Sequence, residues 1–238
     1  MLPSANTNRT KRIVAPIQAA VAAMCFIGTL MATTQNSQAL EYTGGARYVP
    51  AALTSTVPTA QPTGLFGHSE QRYNDMRAFT KWNNILNRFK NELMTSLDQK
   101  PVQDWLLFLE TLKDKSKAEQ IEAVNQYMNQ IKFVADANNY GQNDYWATPM
   151  EFFAKGGDCE DYAVAKYISL RALGFSKEDL RLVVVQDRVM RAPHAMVVAY
   201  DDGKAKLLDN QNPAVMDSAQ ITRYVPVYSI SQVAWWRH

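Results

Sequence analysis

Lysine and arginine number 25 and aspartate and glutamate 23 in a chain of 238 residues, so the formal charge is only +2. A near-neutral protein has no electrostatic footprint for nucleic acid or anionic lipid, and neither is expected as a partner. The length suits one domain with a substantial core.

The amino end reads as an export signal. Arg9, Lys11 and Arg12 form a basic start, an apolar run follows from Ile13 to Ala32, and Ser37-Gln38-Ala39 is a small-x-small cleavage site. The run is about long enough to cross a bilayer as a helix, which leaves an uncleaved anchor as the alternative. Pro16 and Gln18 interrupt it, however, and Met24 before Cys25 fits a lipoprotein site poorly. A signal peptide over 1–39 removes three basic and no acidic residues, so the mature chain becomes slightly acidic. No other apolar run approaches membrane length, so the expected mature domain is periplasmic and not inserted in the membrane. Cleavage also removes Cys25 and leaves Cys159 alone. Exported proteins ordinarily pair their cysteines or avoid them. A lone thiol is then either reactive or a small buried apolar residue.

Residues 40–69 read as an extended leader, with Pro50, Pro58, Pro62 and Gly64 among many threonines and alanines. From about Glu70 the apolar residues Tyr73, Met76, Phe79, Trp82, Leu86, Phe89 and Leu93 recur at the spacing of one helix face. Pro101 opens a second helix with Val102, Trp105, Leu109 and Leu112 on one side. Ser116-x-x-Glu119 is a capping box for a third, carrying Ile121, Val124, Met128, Ile131 and Val134. Thr148, Pro149 and Glu151 start a short helix that ends at Gly156-Gly157. Asp158-Cys159-Glu160-Asp161-Tyr162 then begins a helical run to Leu173, stopped by Gly174.

Past Gly174 the period changes to that of strands. Leu180 to Val185 and His194 to Tyr200 fit two of them. Asp201-Asp202-Gly203-Lys204 is a hairpin turn into Ala205–Asp209, and a last strand covers Arg223 to Ile230. Helices first and an antiparallel sheet after them make an α+β domain over 70–238.

Cys159 falls in the first turn of its helix, where unpaired N–H groups and the helix dipole favour a thiolate. Gly156-Gly157 just before it leaves room for a substrate backbone. Of three histidines, His68 lies in the leader and His238 ends the chain, so His194 is the candidate base; its bland alternative is a hydrogen-bonded structural histidine. In a hairpin centred on Asp202-Gly203, Asp209 falls roughly opposite His194 and can orient the imidazole, with Asn210 as fallback. Asp158, Glu160 and Asp161 crowd the nucleophile and, left uncompensated, raise its pKa. They either cap the helix or hold a cation. Carboxylate oxygens suit Ca²⁺, whereas a Zn²⁺ site from Cys159 and His194 is short of ligands.

Several runs together carry a family resemblance. Trp146-x-x-Pro149-x-Glu151-Phe152, then Gly157-Asp158-Cys159-Glu160-Asp161-Tyr162-Ala163-x-Ala165-Lys166-Tyr167, then Leu170-Arg171-x-Leu173-Gly174 resemble the bacterial transglutaminase-like cysteine proteinases. His194-Ala195-Met196-Val197, Leu208-Asp209-Asn210, Tyr224-x-Pro226-x-Tyr228-Ser229 and Trp235-Trp236 continue the likeness over roughly 70–238. The chain is similar to the LapG-type periplasmic proteases of that family. The resemblance implies a papain-like, transglutaminase-like fold and a Cys-His-Asp triad at Cys159, His194 and Asp209. It also implies Ca²⁺ held by Asp158, Glu160 and Asp161. As substrate it implies a large cell-surface adhesin cut near its amino end, with biofilm dispersal as the result. As partner it implies an inner-membrane receptor that senses cyclic di-GMP and sequesters the protease.

The expected function is therefore a calcium-dependent periplasmic cysteine endopeptidase. Its rivals are transglutaminase-type acyl transfer to an amine and a non-catalytic envelope binding module.

Overall fold

A computed structural model describes residues 64–238, so the expected signal peptide, Cys25 and most of the leader lie outside the described residues. After a single turn at Leu65–Gly67 and strand β1 (Gln71–Tyr73) come helices α1 (Thr80–Thr95), α2 (Lys100–Leu112), α3 (Lys117–Asn129), the one-turn α4 (Asp136–Asn139), α5 (Pro149–Lys155) and α6 (Cys159–Ala172). Strands β2 (Leu180–Asp187), β3 (Ala192–Asp201), β4 (Lys204–Leu208), β5 (Met216–Asp217), β6 (Tyr224–Ile230) and β7 (Trp235–Arg237) follow. The fold is α+β, as expected.

The caps act where the sequence places them. Ser116 with Glu119 and Thr148 with Glu151 both form reciprocal capping boxes, and Pro101 sits in the first turn of α2. The first apolar stripe is corrected. Tyr73 belongs to β1, pairs with Trp235 and stacks on its ring at 4.4 Å. An Asp75 side chain accepts the Arg77 N–H at 3.1 Å and turns the chain before α1 begins. The helix then buries Trp82, Ile85, Phe89 and Leu93. The third stripe also ends early. Ile131 and Val134 lie beyond α3 because the backbone there bonds to the loop before α6, with Val134 N–H donating to Gly157 O at 2.9 Å.

All seven strands form one antiparallel sheet in the order β1-β7-β6-β2-β3-β4-β5. Alternation along the central strands sends Leu180, Leu182, Ala195, Val197 and Ala199 toward the helices. Val183, Val185, Met196 and Val198 face the other side, where Leu65 and Phe66, from the stretch expected as leader, are buried against them. Helix α6 packs on β3 and on α3, which sets the tip of α6 against the start of β3.

Candidate active site

Asp158 is the N-cap of α6 and Cys159 its first helical residue. Asp161, one turn along, takes the Asp158 N–H at 3.1 Å and the Ala147 N–H at 2.7 Å, so one carboxylate ties two chain segments together at the loop before Cys159. The glycines before it have a different task from the one expected. Gly156 holds a φ of +76°, and a Cβ there would collide with the Lys132 carbonyl; on Gly157 it would collide with the Asp161 carboxylate. Neither glycine opens space for substrate. Both let the chain at 132–134 and Asp161 close on the helix tip.

On the sheet, β3 and β4 pair Asp201 with Lys204 and Val197 with Leu208. Asp209 therefore follows the end of β4 and meets His194 diagonally. His194 Nε2 lies 2.8 Å from Asp209 Oδ1, and both side chains are buried. The Tyr224 hydroxyl, at the start of β6, donates to Asp209 Oδ2 at 2.5 Å, and the Gln211 N–H donates to Oδ1 at 2.9 Å. Burial works against the charged carboxylate, but the bonds from His194, Tyr224 and Gln211 hold Asp209 below its ordinary pKa. Tyr224 was part of the motif without a role; only the pairing of β6 with β2 brings it over Asp209.

Cys159 is half-buried, and its thiol donates to Glu160 Oε2 at 3.0 Å. Burial pushes the thiol's pKa well up, the Glu160 and Asp158 carboxylates push it further, and the Ala195 N–H opposes them. That amide belongs to the residue after His194, so Cys159 reaches β3 beside the position of the histidine, although the thiol and the imidazole share no hydrogen bond among the described residues.

The acidic residues gather as expected, with one addition. Ligand atoms of Asp158, Cys159 and Glu160 lie within 4.8 Å of one another, and those of Asp136, Asp158 and Asp161 form a second group at the same limit. Asp136 opens α4 and was not foreseen. It reaches the site because the chain just before it pairs with Gly157. Asp136 Oδ2 accepts the Tyr145 N–H, while Asp136 Oδ1 and Asp158 Oδ1 are buried without a hydrogen-bond partner among the described residues. Burial raises the pKa of Asp136, Asp158, Glu160 and Asp161. Unpartnered carboxylate oxygens converging at like charges are a donor set for a hard cation. The residues fit Ca²⁺.

A cysteine at a helix tip, packed against a sheet that carries a buried histidine–carboxylate pair, defines the papain-like, transglutaminase-like class. The family model of the bacterial transglutaminase-like cysteine proteinases matches residues 108–238, and the chain belongs to that family. It is a cysteine protease of the LapG type. Among solved structures it is similar to calcium-bound LapG of Legionella pneumophila, at 26% identity and a TM-score of 0.55, covering 63% of this chain and 86% of that one. EGTA-treated LapG from the same organism matches at 26% identity and 0.55, covering 64% and 84%. No curated protein matches.

Proposed function

We propose that this chain is a calcium-dependent periplasmic cysteine endopeptidase in which Cys159 attacks, His194 moves protons and Asp209 orients His194. The observation that carries the reading is the buried 2.8 Å contact between His194 and Asp209, set beside the residue whose amide faces Cys159. Because Nε2 is committed to Asp209, Nδ1 is the nitrogen available to the thiol. His194 takes the thiol proton, and the thiolate adds to the scissile carbonyl. The Cys159 N–H, at the first helical position, can bond the oxyanion that forms. Collapse of this adduct expels the amine, which takes its proton from His194 and leaves a thioester. His194 then deprotonates a water that hydrolyses the thioester and frees the thiol.

Asp136, Asp158, Glu160 and Asp161 are the residues proposed to hold Ca²⁺. The bound ion would supply positive charge where carboxylates otherwise keep the thiol protonated. The unpartnered oxygens of Asp136 and Asp158 support this, as does the likeness to calcium-bound LapG. A large cell-surface adhesin, cut near its amino end, is the proposed substrate, and biofilm dispersal the proposed outcome. An inner-membrane cyclic-di-GMP receptor is the proposed sequestering partner. The family likeness supports all three, and the basic-apolar amino end supports export. Among the described residues no helix is long and apolar enough to cross a membrane.

Cleavage of adhesin fragments from the same genome tests the reading, with and without Ca²⁺. The expected result is a defined cut by the wild type in Ca²⁺ and none by Cys159→Ala. Cleavage that persists in the folded variant contradicts it. A labelled amine added to the same assay separates hydrolysis from acyl transfer, since only transfer incorporates the label.

A further inference from the structure

The proposed base and the carboxylate that orients it are not held alike. His194 sits inside the sheet's ladder, paired with Val185 of β2. Asp209 lies beyond the ladder, because β4 ends at Leu208 and the pairing of β3 with β4 stops at Val197 and Leu208. The backbone of such a residue must find its hydrogen bonds elsewhere.

Helix α3 supplies the donors. Asn129, the last residue of that helix, donates from Nδ2 to the Asp209 carbonyl at 3.0 Å and to the Asn212 carbonyl at 3.1 Å. One turn earlier, Asn125 Nδ2 donates to the Asn212 and Pro213 carbonyls at 3.3 and 3.1 Å. Asn125 holds the far end of the loop; of the two, Asn129 is the one that reaches Asp209. The Oδ1 atoms of both are buried without a hydrogen-bond partner among the described residues. An orphaned buried acceptor costs stability, and an apolar residue of the same size would avoid that cost. What the two amides contribute is their donors.

The same end of α3 runs on into the nucleophile's surroundings. Just past Asn129, the Ile131 carbonyl accepts the Tyr162 hydroxyl, the Lys132 carbonyl accepts the Gly157 N–H at 3.4 Å, and the Val134 N–H donates to the Gly157 carbonyl at 2.9 Å. Gly157 and Tyr162 lie on either side of Cys159 in the chain. Residues 129–134 therefore bond to the Asp209 loop at one end and to the segment around Cys159 at the other. We propose that Asn129 is a positioning residue: its amide registers the backbone of Asp209, and through the 2.8 Å contact the His194 ring, against the segment that carries Cys159. This role rests on the proposed part of Asp209 and deepens it. A misplacement of about 1 Å between reacting groups can cost on the order of 10²-fold in rate, so a single hydrogen bond at this joint matters.

Asn129→Leu keeps the volume and removes the donors, and Asn125→Leu is its matched control. Asn129→Leu is expected to lower kcat on the order of 10-fold with KM nearly unchanged, and Asn125→Leu to lower it by less than about 2-fold. Asn129→Ala, which removes the donors without adding an apolar group, is expected to behave as Asn129→Leu does. In the Cys159→Ala background, the NMR resonance of the His194 Nε2 proton bonded to Asp209 is expected to shift on Asn129→Leu and to stay in place on Asn125→Leu. Urea unfolding of every variant separates these readouts from a general loss of structure. Equal kcat in the two leucine variants, or a His194 resonance unmoved by Asn129→Leu, overturns the asparagine inference alone, provided Asp209→Ala is inactive. Should Asp209→Ala cleave like the wild type, the role of Asp209 falls and that of Asn129 with it.

Discussion

The two acidic ends of the site are built on opposite plans. Asp209 is complete: both oxygens accept hydrogen bonds, from His194 and Gln211 on one and Tyr224 on the other, and its pKa is held down. The cluster at the tip of α6 is incomplete. Asp136 and Asp158 each bury an oxygen with no partner among the described residues, and burial raises the pKa of every carboxylate in the group. Protein groups alone satisfy the first arrangement, whereas the second asks for a cation. The half proposed to move protons is held by protein groups, and the half around the thiol is the one proposed to respond to calcium.

The most severe way to break this contrast is to remove the nucleophile: Cys159→Ala is expected to abolish cleavage, a loss on the order of 10³-fold or more, with an unchanged circular dichroism spectrum. Removing calcium should act almost as strongly. In EGTA, activity is expected to fall by roughly 10²-fold or more, and Asp136→Asn should weaken calcium binding in a titration calorimeter, because it alters an unpartnered oxygen. The complete half yields to smaller changes. Tyr224→Phe takes one bond from Asp209 and is expected to lower kcat several-fold and stability by about 1 kcal/mol in urea unfolding.

One effect, on stability, has an inverted sign. Lys166→Met is expected to stabilise the fold by about 1–3 kcal/mol, because it removes a buried amine that has no hydrogen-bond partner among the described residues. The folded-state pKa of Lys166, about 7, lies below its ordinary 10.5, so between those values the unfolded chain binds more protons and wild-type stability rises with pH. The gain from Lys166→Met in thermal unfolding is therefore largest at and below pH 7 and shrinks toward pH 10.

Local chemistry was legible in the sequence; long-range pairing was less so. The capping boxes at Ser116 and Thr148 and the placement of Cys159 at the start of a helix depend on residues three or four apart, and the structure has them where they were expected. The contact between His194 and Asp209 was anticipated from the hairpin centred on Asp202-Gly203, although the two meet diagonally and not across a pair. Strands β1 and β7 were missed because each is three residues long and exists only through the other and β6. Asp136 was missed for a related reason. Its place beside Asp158 follows from the chain at 132–134 lying along Gly157, a pairing that no periodicity announces. The glycines at 156 and 157 were recognised as special, but their reason is the close approach of Lys132 and Asp161.

The pH dependence of Cys159 alkylation by iodoacetamide tests the central claim most directly, since Cys159 is the free thiol among the described residues. In Ca²⁺ the wild type should alkylate with a midpoint well below that of an ordinary thiol. His194→Ala should return the midpoint toward the ordinary value, and EGTA should drive it higher still. An ordinary midpoint in the wild type, indifferent to His194→Ala and to EGTA, would contradict the account.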